Sequence, residues 1–119
     1  MITEEKLADN FNTIIEEMHP RVWELLQHCY VKVITSCFMN SCVSPVQYIG
    51  IYCPDEIFAS IVAEKNLLRE VAKYLGLAEV VCLNATKLLR DPLSRLKTDY
   101  PQLWLELIWI TTEAQEHSS

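Results

Sequence analysis

The residues of this 119-residue chain best equipped for chemistry are five cysteines, Cys29, Cys37, Cys42, Cys53 and Cys82. A thiol works as a nucleophile only once it is a thiolate, which takes a basic neighbour or a helix N-terminus to lower its pKa. Cys53 is the one good candidate. It directly precedes Pro54-Asp55-Glu56, which reads as a helix start, so it stands at the expected N-cap, where the dipole favours a thiolate. The plainer reading of every one of the five is a small buried hydrophobe, because free cysteine is among the most buried residue types. Metal binding needs ligands that converge. Cys37-x4-Cys42 is looser than the usual pair, no second pair or His-x3-His follows, and adjacent His28 and Cys29 would diverge on a helix. The acids Glu16-Glu17, Asp55-Glu56 and Glu113 with Glu116 could serve as general acids or calcium ligands. No D-x-D-x-D-G loop accompanies them, and first-turn or surface roles explain them. With only two glycines, Gly50 and Gly76, neither a glycine-rich phosphate loop nor a GxxG nucleic-acid loop fits. No catalytic residue, cofactor or metal ligand is expected. A thiol- or metal-dependent protein built on Cys53 or Cys37/Cys42 stays as an alternative.

Charge narrows the classes further. A net charge of −6 argues against a general nucleic-acid binder, since neutralising phosphates needs a basic face. The clear basic cluster is Lys87, Arg90, Arg95 and Lys97, which reads first as a solvated helix face and second as the patch of a nucleic-acid-binding regulator. An odd number of cysteines, acids near the N-terminus and no apolar run of spanning length point to a cytoplasmic protein with reduced thiols and no membrane partner. Half the residues are apolar, enough for the core of a single domain over residues 1–119.

The elements that must position these groups are organised around residues 46–83. Val46 to Tyr52 alternates in the manner of a half-buried strand, with Gly50 marking a bulge or a close approach. A single long helix follows. Ile57, Ile61, Leu68, Val71, Ala72 and Leu75 line one side, and Glu64, Lys65, Arg69, Glu70 and Lys73 line the other. Gly76 suits the left-handed residue that closes it, and Ala78 to Leu83 is a short buried strand. Upstream, Thr3 caps a helix whose apolar stripe is Leu7, Phe11, Ile14, Ile15 and Met18, and Pro20 starts a second helix to about Gln27. Tyr30 to Phe38 is β-branched enough for a strand that forms a hairpin with the one at Val46, through a connection carrying Cys42 and Val43. The competing reading is one helix from Arg21 to Cys37. Downstream, Thr86 caps a short helix through Leu89, Asp91-Pro92 restarts it, and Gln102 to Glu113 is a helix, with a strand as alternative. The expected class is α+β: a small three-stranded sheet packed by a long central helix, with N-terminal and C-terminal helices.

The segments "IYCP", "DEIFASIVAEKNLLREVAKYLG" and "EVVCLN", in that order, resemble the closing half of the N-terminal domain of the replication initiator DnaA. "LLQHC", from Leu25 to Cys29, with the later "VQYIGI" is similar to the C-terminal domain of clamp-loader tau subunits. The resemblance covers roughly Phe11 to Asn84 and is one of apolar spacing. It implies an adaptor that docks other replication or regulatory proteins.

The tail carries the strongest surface signal. Leu103, Trp104, Leu105, Leu107, Ile108, Trp109 and Ile110 surround Glu106, and a helix apolar on all sides must be buried on all sides. A chain this small rarely supplies neighbours for every face, and tryptophan is enriched at interface hot spots. The expectation is a non-catalytic protein-interaction module that meets another protein or its own copy as a homodimer. The partner-binding residues are the charged side of the long helix (Glu64, Arg69, Lys73) and the tail (Trp104, Ile108, Trp109).

Overall fold

The computed structural model describes residues 2–38 and 41–117, with side chains described for 2–36 and 45–112. Thr3 opens α1 (Glu4–Met18): its hydroxyl accepts the Lys6 N–H at 3.1 Å, and Glu4 and Glu5 sit at the positive end of the helix. Leu7, Ala8, Phe11 and Ile15 form the buried stripe. Pro20 begins α2 (Pro20–Leu26), which turns Val22 and Leu26 inward.

β1 (Tyr30–Phe38) and β2 (Ser41–Cys53) pair antiparallel, from Tyr30 opposite Tyr52 to Ser36 opposite Val46, so the hairpin stands and the one-helix alternative falls. β2 begins upstream of Val46, at Ser41. Ser44 and Pro45 therefore lie within the strand, opposite a slip in register between Ser36 and Phe38. A proline has no N–H for the ladder, and an irregularity of this kind is where a strand accommodates one. Cys42 and Val43 belong to β2 by backbone, and their side chains lie outside the described residues. Gly50 marks a close approach: a Cβ built there would stand 3.1 Å from Ile34 Cδ1.

The long helix exists in two pieces, α3 (Asp55–Ala63) and α4 (Lys65–Tyr74), with Glu64 between them at φ −97° and ψ 10°. The Glu64 N–H reaches back three residues to the Ile61 carbonyl, and regular spacing resumes with Leu68 N–H to the Glu64 carbonyl. The apolar stripe explains the break. Between Ile61 and Leu68 the core-facing turn would fall at 64 or 65, and both are charged, so no buried side chain holds that turn down. Gly76, at φ +83°, closes α4. Its N–H bonds the Lys73 carbonyl and the Leu77 N–H bonds the Ala72 carbonyl, the paired bonds of a glycine-terminated helix.

β3 (Val80–Asn84) then runs parallel to β2, with Ile49 beside Val80 and Cys53 beside Asn84. Parallel neighbours need a crossover, and α3 with α4 supply it. α5 (Ala85–Arg90), α6 (Leu96–Asp99) and α7 (Pro101–His117) follow, which decides the tail as helix. The fold is α+β, with seven helices and a mixed sheet of order β1-β2-β3 among the described residues. Two cores lie on opposite faces of that sheet. Ile49, Ile51 and Cys53 face Phe11, Ile15, Leu26, Ile61, Leu68 and Ala72 from α1 to α4. Tyr52, one residue out of phase, faces Ala85 and the Leu103, Leu107 and Ile110 stripe of α7.

Candidate functional site

Cys53 takes the plainer of its two expected roles, a buried residue at a strand end, and the reactive N-cap thiolate does not form. The N-cap of α3 is Pro54, and Cys53 ends β2 with none of its surface exposed. Its thiol points to the Ile51 carbonyl at 3.7 Å. The Cys29 thiol beside it and then burial push its pKa well above the ordinary thiol range. A group held protonated in an apolar core is a poor nucleophile. Burial raises Cys82 as well. Among the described residues Cys29, Cys53 and Cys82 are free thiols, and no group of three or more candidate ligands converges to hold a metal ion. The Cys37/Cys42 pair lies outside the residues whose side chains are described.

The basic cluster is exposed at Lys87, Arg90, Arg95 and Lys97, but two of its members are engaged locally. Arg95 lies 3.7 Å from Asp99 one turn on, and Lys97 Nζ stands 4.9 Å from the centre of the Trp104 ring. That cation–π contact ties α6 to α7.

The charged residues chosen on the long helix are dispersed. Glu64 sits at the break between α3 and α4, and Lys73 is exposed near the end of α4. Arg69 is taken up by Glu79: its Nε donates to Glu79 Oε1 at 2.7 Å, and the same oxygen accepts the Val80 N–H at 2.9 Å. These two donors, the Val80 amide first, lower the Glu79 carboxyl below its ordinary value. Arg69 thus fastens α4 to the entrance of β3. It stands on the opposite side of the sheet from α7, so the helix residues and the tail residues belong to two separate surfaces.

α7 carries an apolar strip that the fold leaves uncovered. Leu103, Leu107 and Ile110 recur every three or four residues and bury one side of the helix. Thr111 finishes that side with its hydroxyl donated to the Leu107 carbonyl at 2.8 Å. The other side presents Leu105, 55% exposed, Ile108, 37%, and Trp109, 69%. Together with Gln102 and Glu106 these residues line one shallow groove. Trp104 is partly buried under Lys97 and lies at the border of the strip. Leu105, not among the tail residues singled out from the sequence, joins the exposed strip one turn before Trp109.

A comparison of the chain with protein-family models, with curated proteins and with solved structures found no match. Among the described residues no helix is long and apolar enough to cross a membrane.

Proposed function

We propose that this chain is a non-catalytic protein-interaction module, an adaptor that docks through the outer side of α7 and takes a second copy of itself as partner. The observation that carries the reading is the exposed strip of Leu105, Ile108 and Trp109 on a helix whose other side is sealed into the core. Single apolar residues on a surface are ordinary, but a large aromatic flanked by two aliphatic residues on one rigid helix has the composition of an interface centre. Leu105 and Trp109, four residues apart, sit at the spacing by which helices pack side by side, and Gln102 and Glu106 supply the polar rim. A cytoplasmic adaptor in replication or gene regulation is the setting that the resemblance to the DnaA and tau domains suggests.

Light scattering over a range of concentrations tests the reading. The expected result is a dimer for the unaltered chain and a monomer of unchanged thermal stability for Trp109→Ala combined with Leu105→Ala. A monomer at high micromolar concentration, with the paired variant merely less stable, would remove it.

A further inference from the structure

Cys29 and Cys53 stand opposite each other at the open end of the hairpin. The antiparallel register sets Tyr30 against Tyr52, so the next pair toward α2 is Cys29 with Cys53. Alternation places both thiols on one face of the sheet. Tyr30 and Tyr52 pack on the α7 side, whereas Cys29 and Cys53 pack on the side of α1 to α4. The pair is also of the closer kind. The Ile49 N–H donates to the Glu79 carbonyl beside β3, so Ile49 and Val33 exchange no backbone bonds across the hairpin. Such pairs recur at every second residue, which makes Val31 with Ile51, and then Cys29 with Cys53, pairs of the same kind. The Cys29 N–H agrees with this, since it donates to the Leu26 carbonyl at 2.9 Å. Pairs of this kind bring their Cα atoms to about 4.5 Å, inside the range of about 4.4–6.8 Å that a disulfide spans.

The surroundings give the two thiols different work. Cys29 is partly exposed, so a small reagent reaches it, and Cys53 is sealed. Each otherwise donates weakly to a carbonyl, Cys29 to Leu25 at 3.6 Å and Cys53 to Ile51 at 3.7 Å, so joining them breaks no strong bond. Cys82 is the competitor. It lies beside Ile51 in the parallel register, which makes it diagonal to Cys53 on the same face. Diagonal neighbours stand about 7–8 Å apart, beyond the reach of a disulfide. Register therefore selects Cys29 as the partner of Cys53.

We infer that Cys29 and Cys53 form a redox-active dithiol, which a small disulfide of the glutathione class oxidises to an intramolecular cross-link. The Cys29 thiolate, its proton given to solvent, attacks one sulfur of the small disulfide. A mixed disulfide forms and one small thiolate leaves. The Cys53 sulfur then attacks the Cys29 sulfur and breaks the mixed bond, and its proton goes to the second departing thiolate. Two protein thiols are oxidised, and one small disulfide is reduced to two thiols. Cys53 is a poor nucleophile toward anything in solvent, but it has to meet a single sulfur that the hairpin holds against it, so proximity takes the place of basicity. The bond ties the end of α2 to the end of β2 and closes the hairpin at its base, which constrains the unfolded chain. The dithiol is separate from the outer strip of α7 and stands or falls without it.

The test treats the reduced, folded full chain with glutathione disulfide, quenches with acid, and maps the unreduced peptides by mass spectrometry. The expected product is a peptide pair joined through Cys29 and Cys53. The linked chain melts at a higher temperature, and dithiothreitol reverses both changes. Cys82→Ser forms the same link. Cys53→Ala lacks the second sulfur and stops as a glutathione adduct on Cys29. The inference is overturned if the unaltered chain keeps glutathione on Cys29 while Cys53 stays reduced, or if either thiol joins Cys82 instead. It is also overturned if the link forms only after urea has opened the fold, or if the linked chain melts no higher than the reduced one. The map of the unaltered chain decides the matter on its own should Cys53→Ala fail to fold.

Discussion

The Asp55 N–H donates to the Thr86 hydroxyl at 2.9 Å, so α3 is capped from α5, 31 residues further along the chain. Asn84 adds a second tie, its amide donating to the Asp55 carboxylate at 2.8 Å, while its own oxygen caps α5 through the Lys87 N–H. Thr86 was expected to cap its own short helix. Asn84, two residues earlier, does that, and Thr86, buried and bonded to the Asp55 N–H, holds two elements together instead.

Replacing Thr86 by valine keeps its volume and removes the acceptor. The Asp55 N–H is then left without a partner in a half-buried place, and the loss is about 1–2 kcal/mol. Urea denaturation of Thr86→Val against the unaltered chain measures it. A difference under about 0.3 kcal/mol would show that the cap contributes nothing beyond contact.

Gly76→Ala places a Cβ at φ +83°. The space around that position is open, so the cost is conformational, about 1 kcal/mol. Thermal melts of Gly76→Ala and Gly50→Ala separate the two glycine roles. Gly50→Ala keeps an ordinary φ, and its one tight contact is the flexible end of Ile34 at 3.1 Å, with Tyr52 Cε1 and the Lys32 carbonyl at ordinary contact distance, so its effect is set by how far the Ile34 side chain yields.

Glu79 gives the pH dependence. Its folded-state pKa lies below the value of 4.5 for an unperturbed glutamate, because Val80 and Arg69 bond its charged form. The stabilisation is therefore complete above the ordinary glutamate range and is lost as pH falls through the lowered value. Glu79→Gln is expected to be less stable than the unaltered chain at neutral pH, with the gap narrowing on acidification. Urea midpoints taken from pH 7 to about pH 3 follow it, and a gap that stayed constant would assign Glu79 a purely neutral hydrogen-bonding role.

Cys53 is expected to resist alkylation by iodoacetamide in the folded protein at neutral pH and to react once urea unfolds it. Partly exposed Cys29 and Cys82 react earlier. Peptide mapping by mass spectrometry resolves the order. Rapid labelling of native Cys53 would contradict its place at the sealed end of β2.

The two sides of α7 predict opposite behaviour. Leu107→Ala opens a cavity in the core and costs about 2–5 kcal/mol. Trp109→Ala, on the outer side, leaves stability within about 0.5 kcal/mol. Denaturation of the two variants checks the pair, and an equally large loss at Trp109 would mean that this ring is part of the packing.

Local patterns in the chain located nearly every element. Thr3, Pro20 and Gly76 marked helix ends through backbone chemistry that acts within a few residues, and the alternation around Ile49 and Ile51 marked a strand. What stayed hidden depends on residues far apart. The sheet order, the bond from Asp55 to Thr86 and the pairing of Arg69 with Glu79 join segments that no periodicity relates. Cys53 shows why a local rule misleads: it precedes a helix start, yet the packing of α1 to α4 over β2 seals it and removes the solvent a thiolate would need. The break at Glu64 stayed hidden as well: Glu64 and Lys65 read as part of the charged side of one helix, and a helical spacing that resumes in phase masks an interruption of one residue. For the site, Trp109 and Ile108 could be chosen from the tail alone. Which side of that tail faces outward depends on Tyr52 and Ala85, and so on the fold.

The division of the interior into two cores has a consequence for how the molecule comes apart. The larger core draws on α1 through α4 and one side of the sheet, whereas α7 rests on Tyr52, Ala85 and a few leucines on the other. No residue of α7 belongs to the larger core, so a displacement of the last helix would remove none of that core's side chains. It would free Leu103, Leu107 and Ile110 beside the already bare Trp109, and a neighbour would then meet both sides of one apolar helix at once.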